Sequence, residues 1–271
     1  MLQKLLVPIL MMLVISSCST DIDKNITTDL QVEGNEIFNI SFALEEAYFF
    51  AFQTLDNYKV ADTLDIPGCP AITIDEALRK VTLEFDSSRE CDNNASLLRS
   101  GKIHIQYLNT NMLEATSRLE YENYKVRGIK VEGKRDFKQV RSLVNPNRRT
   151  EVFTDLFLIN EFESSSRING NYEFQLTFQN GEFTEFLSSG SIEGRNVTGR
   201  RIVMNPTLNK RYLVDCILSG NYLPGEGSEK WQIFRNETTS TMHTMIYESA
   251  SACENSASLI LQDGRTIVFK Q

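Results

Sequence analysis

Tyr172-Glu173-Phe174-Gln175-Leu176-Thr177-Phe178, with Asn180-Gly181 just beyond it and a return through Phe183 and Phe186, decides the fold of this chain. Large apolar and polar residues alternate with period two, as in a strand with one face buried. Asn-Gly is the dipeptide that best supplies the two left-handed residues of a tight turn, so the chain doubles back and pairs with itself. Val81-Thr82-Leu83-Glu84-Phe85 and Ile103-His104-Ile105-Gln106-Tyr107 alternate in the same way. Asn169-Gly170, Ser219-Gly220 and Asp263-Gly264 read as further turns. In Tyr124-Lys125-Val126-Arg127-Gly128-Ile129-Lys130-Val131 the apolar phase shifts by one at Gly128, which reads as a glycine bulge inside one strand. From Pro67 onward the pattern is antiparallel β, and the fold class is mainly β: a sandwich or a curved meander.

Ahead of the strands, Ser41 to Asp56 reads as the one helix. Ser41 or Asn39 would cap it, and Glu45 and Glu46 would sit in its first turns, where the helix dipole favours carboxylates. Phe42, Phe49 and Phe52 give it a wide apolar face that packs on a sheet.

The N-terminus has a different character. Lys4, an apolar run from Leu5 to Ile15 and the small residues Ser16-Ser17 make a secretory signal peptide over residues 1–17. Ile15-Ser16-Ser17-Cys18 resembles the lipobox of bacterial lipoproteins, whose cysteine is acylated and becomes the new N-terminus. Cys18 would anchor the chain, because about 0.8 kcal/mol per buried methylene makes two or more acyl chains a stable hold. Residues 18–36 read as the lipidated cysteine and a polar tether, and residues 37–271 as the β-rich body with its N-terminal helix. Four further cysteines, Cys69, Cys91, Cys216 and Cys253, form an even set outside the cytoplasm and read as two disulfides. Three connectivities are open; Cys69–Cys91 with Cys216–Cys253 closes modest loops, each within one half of the chain.

Composition is that of an ordinary globule, 41% hydrophobic and 24% charged. The precursor carries −8, and the signal peptide removes only Lys4, which leaves the mature chain near −9. That balance argues against nucleic acid as a partner. Neither His104 nor His243 has a partner at metal-ligand spacing, so no metal and no cofactor is expected, and both read as exposed strand residues. Trp231 reads as a half-buried strand residue. No nucleophile elbow is present, since Gly190-Ser191-Ile192-Glu193-Gly194 has its serine in the wrong place. The carboxylate pairs Glu161/Glu163 and Glu182/Glu185 carry little weight among so many surface acids.

The chain also resembles itself. Cys91-Asp92-Asn93-Asn94-Ala95-Ser96-Leu97 and Cys253-Glu254-Asn255-Ser256-Ala257-Ser258-Leu259 agree at five of seven positions, and each leads to a glycine–base pair, Gly101-Lys102 and Gly264-Arg265. Two related β halves follow as an expectation, about 60–140 and 150–271, with Asn145-Pro146-Asn147-Arg148-Arg149 as the turn between them. Cys69-Pro70, Ser100-Gly101-Lys102-Ile103, Asn123 to Gly133 and the Cys253-to-Ala257 ending together resemble uncharacterised secreted lipoproteins of the Bacteroidetes. The resemblance implies the compartment and a β fold, and no activity. It also gives meaning to Asp62-Thr63-Leu64, which resembles the short signal that such bacteria O-glycosylate, with Thr63 as the acceptor.

One charge feature remains. Lys125, Arg127, Lys130, Lys134, Arg135, Lys138, Arg141, Arg148 and Arg149 stand against only Glu132 and Asp136, a local +7. It reads either as a face for an anionic glycan or envelope protein, or as a solvated outer surface. The expected function is a non-enzymatic, lipid-anchored binding or scaffolding protein of the cell envelope, on the outer membrane. An envelope glycan hydrolase using paired carboxylates is the alternative.

Overall fold

The computed structural model describes residues 30–86, 97–110, 114–140 and 144–270. Cys18, Cys91 and Arg141 lie outside them. Three helical segments lead the described chain: α1 (Leu30–Glu45), α2 (Tyr48–Phe52) and α3 (Leu55–Val60), then a 3-10 turn at Thr63–Asp65. Fourteen strands follow: β1 (Ala71–Asp75), β2 (Lys80–Phe85), β3 (Arg99–Thr110), β4 (Glu114–Val126), β5 (Ile129–Glu132), β6 (Lys134–Val140), β7 (Arg148–Ile159), β8 (Ser165–Gln179), β9 (Glu182–Arg195), β10 (Arg201–Leu213), β11 (Glu226–Phe234), β12 (Ser240–Ser249), β13 (Asn255–Ile260) and β14 (Thr266–Lys270). A short helix, α4 (Val214–Leu218), interrupts the connection from β10 to β11.

The strands form one antiparallel sheet in chain order, with β6 alone stepping aside to pair with β4 and β7. This is the curved meander, and the curvature follows from geometry. Thirteen neighbouring strands at about 4.8 Å would make a flat sheet nearly 60 Å wide, whereas a helix is only about 10–12 Å across. Yet α1 and α2 touch strands from one end of the sheet to the other. Phe50 packs on Phe85 of β2, Tyr48 on Phe174 of β8 and Tyr212 of β10, and Phe38 stacks on Phe269 of β14 at 3.9 Å. The sheet therefore curls around the helix as an open barrel. Ile40 to Phe52 are buried without exception. Among the described residues, β1 and β14 are the free edges.

The decisive hairpin is as expected. Asn180 and Gly181 both have positive φ, 53° and 89°, and Gln179 pairs with Glu182 across the turn. Tyr172, Phe174 and Leu176 point inward. Gly128 is a different device from the one expected. Arg127 and Gly128 both have positive φ, 50° and 79°, and Val126 pairs with Ile129, so they form a second two-residue hairpin turn between β4 and β5. A two-residue turn and a bulge both shift the apolar phase, which is why the pattern did not separate them. Asn169-Gly170 lies within β8 and is no turn, while Gly220 and Gly264 do sit in turns.

The helix starts at Leu30, not at Ser41, so the last residues assigned to the tether are helical. Ser41 is a buried mid-helix residue and no cap. The two cysteine heptapeptides do not lead to equivalent places. Gly101 lies inside β3 opposite β4, whereas Gly264 lies in the turn from β13 to β14. Asn145–Asn147 is a turn, but it joins β6 to β7 within a continuous meander, and Arg148 and Arg149 open β7.

Cys216 and Cys253 are bridged, which ties α4 to the segment before β13 across 37 residues. Cys69 is also disulfide-bonded; its expected partner, Cys91, lies outside the described residues. Replacing both Cys216 and Cys253 by Ser should lower stability by about 3–4 kcal/mol, the loop-closure entropy for a loop of this length. Urea unfolding of the double variant against the parent checks this. A midpoint unchanged in the variant would mean the bridge adds nothing.

Candidate functional site

The interior is more polar than a helix-filled barrel requires. Glu33, Glu36, Glu45 and Glu46 of the helical region all point at the sheet, and each meets a partner there. At the N-terminal end, Glu33 accepts from both terminal nitrogens of Arg235 and from Arg200 Nη1 at 3.0 Å, with His243 Nε2 3.6 Å away. Burial works to raise its pKa, but His243 and Arg235 hold the carboxyl down to about 2. Glu36 accepts from Ser166 Oγ at 2.7 Å and the Val197 amide at 2.9 Å, and burial raises its pKa.

The densest cluster lies at the other end of α1. Lys210 Nζ donates to both Glu45 and Glu229, so one ammonium serves two buried carboxylates. They are not equivalent. Glu229 also accepts from Ser41 Oγ at 2.5 Å, Trp231 Nε1 at 2.9 Å and Tyr247 OH at 3.1 Å. Burial pushes its carboxyl up, but Lys210 and these donors bring it below the usual range. Glu45 is held chiefly by Lys210, with the Tyr212 hydroxyl close by, and among the described residues its Oε2 has no hydrogen-bond partner. Burial therefore raises its pKa to about 7 despite the ammonium. Lys210, Glu45 and Glu229 interact closely, so their titrations are coupled. Beside them Arg99 Nε donates to Glu46 at 3.1 Å and Tyr124 OH donates to its other oxygen at 2.9 Å. Arg135 donates to Glu151 at 2.5 Å and to the Leu44 carbonyl at 2.8 Å.

Paired carboxylates are thus present, but in the core. Glu45 is 4% exposed and Glu229 1%, so a substrate would have to displace the helix to reach them. Glu161 and Glu163 are exposed on the β7–β8 turn, and Glu185 is held by Arg211 at 2.6 Å. Among the described residues no group of three or more metal-ligating side chains comes together.

Several sequence expectations need correction here. His243 is buried at 1% and faces Glu33, and Trp231 is fully buried, its indole held by Glu229. Only His104 stays near the surface, between Thr82 and Glu122. The basic run does not make one face. Arg135 turns inward and is completely buried. Lys125, Arg127 and Lys130 lie at the β4–β5 turn, whereas Lys138, Arg148 and Arg149 lie at the opposite end of β7. Lys130 pairs with Glu132, Lys138 with Glu114 and Arg148 with Glu173. Arg127 lies over Phe38 and Phe42, and Lys134 is exposed. Thr63 opens the 3-10 turn behind Asp62, with Asp62 and Leu64 exposed on either side.

Surface clefts surround the barrel. One of about 380 Å³ lies between α1 and the β4–β5 turn, lined by Val32, Ile40, Arg127 and Phe162. Another, of about 410 Å³, lies under α3 beside Tyr107, Phe137 and Arg149. A third, of about 490 Å³, is walled by Arg195, Arg200, Arg201 and Arg235. Nothing in the sequence marks the third, because its residues come from separate turns.

Two outcomes test the buried cluster. An acid whose pKa is raised on folding binds its proton more tightly in the folded state, so stability falls as pH climbs from 4.5 to 7. The Glu45 contribution is about 3 kcal/mol. Glu33, with its lowered pKa, has the opposite sign and acts between 4.5 and 2. Urea midpoints should therefore be higher at pH 5 than at pH 7.5, and Glu45→Gln should remove much of the difference; an unchanged slope would rule the assignment out. Lys210→Met should cost about 3–5 kcal/mol at neutral pH, because it strands two buried carboxylates. The chain matches no family model, no curated protein and no solved structure.

Proposed function

We propose that this chain is a lipid-anchored protein of the cell envelope that works by binding at its outer surface, without chemistry of its own. The observation that supports this best is the occupation of the barrel by its own helix. Every residue from Ile40 to Phe52 is buried against the sheet, so the space in which a barrel would hold a ligand is filled. A carrier of hydrophobic ligands would need that space free. A glycan hydrolase would need two carboxylates facing a cleft, and Glu45 and Glu229 face Lys210 in the core instead.

The envelope placement rests on Cys18 and its lipobox-like surroundings, and the Cys216–Cys253 bridge accords with an oxidising compartment. Membrane anchoring then comes from the lipid and leaves the acidic body free for a partner.

Cys18→Ala should abolish acyl labelling and move the protein out of the membrane fraction. Continued labelling and unchanged fractionation would sink the anchoring proposal. The filled interior predicts that the folded protein leaves the fluorescence of anilinonaphthalene sulfonate unchanged at neutral pH. Stoichiometric uptake of that dye by the native state would favour a carrier instead.

A further inference from the structure

The outer face of the sheet carries a row of arginines that runs across the strands. Arg167 of β8 is the register partner of Arg195 of β9, and Arg195 is the register partner of Arg201 of β10. All three are exposed. Neighbouring strands are about 4.8 Å apart, so three like charges stand in line at that spacing. Like charges directly opposite each other destabilise a sheet, and folding alone gives no reason for the arrangement.

Each end of the row rests on an aromatic ring. Arg167 lies over Phe157, its partner on β7, at 5.9 Å, and Arg201 lies over Phe234 at 4.7 Å. Stacking engages the face of a guanidinium and leaves its N–H edge free for bidentate contact with a carboxylate or sulfate. Arg167 is partly neutralised by Asp155 at 2.6 Å. The Arg195 guanidinium donates to the Gly199 carbonyl at 2.8 Å. Among the described residues, neither Arg195 nor Arg201 is in an ion pair. Both wall the cleft of about 490 Å³, with Arg200 and Arg235 beside them holding the buried Glu33.

We infer that this row binds a linear acidic polysaccharide, laid across β8, β9 and β10 with its carboxylate or sulfate groups on Arg195 and Arg201. The acids around the row favour a narrow ligand. Glu193 stands two residues from Arg195 on the same face of β9, and Glu237 stands at the cleft rim. A flat anionic membrane would press its charge against both, whereas a single chain follows the row between them. The choice of polysaccharide over nucleic acid rests on the envelope placement proposed above; the anion site itself does not.

The test uses the detergent-solubilised mature lipoprotein in native gels cast with or without alginate or dextran sulfate, at low ionic strength, where exposed charges are least screened. The mature chain, near −9 once Lys4 is lost from the precursor's −8, has no general affinity for polyanions, so retardation by either polymer is the expected and specific result. Arg195→Ser/Arg201→Ser should weaken it at least about tenfold, and Arg201→Lys, which keeps the charge but loses the planar fork, should weaken it in part. Lys125→Ser/Lys134→Ser should leave it unchanged. Relief of the like-charge row should leave the urea midpoint of the double-serine variant no lower than the parent's, which separates lost binding from lost folding. Equal mobility with and without polymer, or equal retardation of the double-serine variant, would overturn the site. Stronger binding to phosphatidylglycerol vesicles or to single-stranded DNA than to either polysaccharide would overturn the ligand class, and since these assays do not depend on Cys18 their failure is distinct from failure of the anchoring proposal.

Discussion

The C-terminal end of α1 lies buried inside the curled sheet, and the rest of the structure accommodates that constraint. A helix terminus leaves carbonyls without intrahelical partners and carries partial negative charge. Here Glu45 and Glu46 add two carboxylates to the same pole, where the dipole disfavours them. Arg135 donates to the Leu44 carbonyl, Arg99 holds Glu46 and Lys210 holds Glu45. Those three cations come from β6, β3 and β10; β3 and β6 flank β4, while β10 lies several strands further along the sheet. They can converge on one helix end only if the sheet wraps around it. The charge requirement of the helix and the curvature of the sheet are two descriptions of one geometry.

Such buried pairs are weak contributors to net stability, because well-packed apolar groups of the same volume do as well or better. Their effect is on position. Sliding a helix by one residue moves it about 1.5 Å and turns it by about 100°, which would aim Glu33, Glu36, Glu45 and Glu46 away from their partners together. The aromatic contacts of Tyr48 with Tyr172, Phe174, Phe186 and Tyr212 tolerate small shifts far better than the ion pairs do. Packing holds the helix in the barrel, and the acids set its register.

This division explains what could be read from the sequence. The β8–β9 hairpin was legible because alternation and Asn180-Gly181 are local. The start of the helix was not, because Glu33, Asn35, Glu36 and Asn39 look like solvent-facing residues in isolation. Glu36 finds Ser166 130 residues away, and Glu33 finds Arg235 202 residues away. His243, Trp231 and Arg135 turn inward for the same reason: period two tells which residues share a face, and distant partners decide which face is inside. The Cys216–Cys253 pairing was legible because it is close in sequence and its loop is modest.

The basic run from Lys125 to Arg149 makes the limit general. Along β6, Lys134 is exposed, Arg135 buried, Phe137 buried and Lys138 exposed, because successive side chains of a strand take opposite sides. Adjacent bases in a β-strand are thus driven apart, one toward the core and one toward solvent, and a charged stretch in sequence does not make a charged face. A face is assembled across strands, by register. Arg167, Arg195 and Arg201 are scattered in sequence and unremarkable there, yet pairing sets them side by side on three neighbouring strands. In a meander that follows chain order as closely as this one, register is fixed by turn lengths and bulges. The pairing that sets Arg167 beside Arg195 is therefore fixed by the Asn180-Gly181 turn and the register shift between Thr177 and Phe178, far from the arginines themselves.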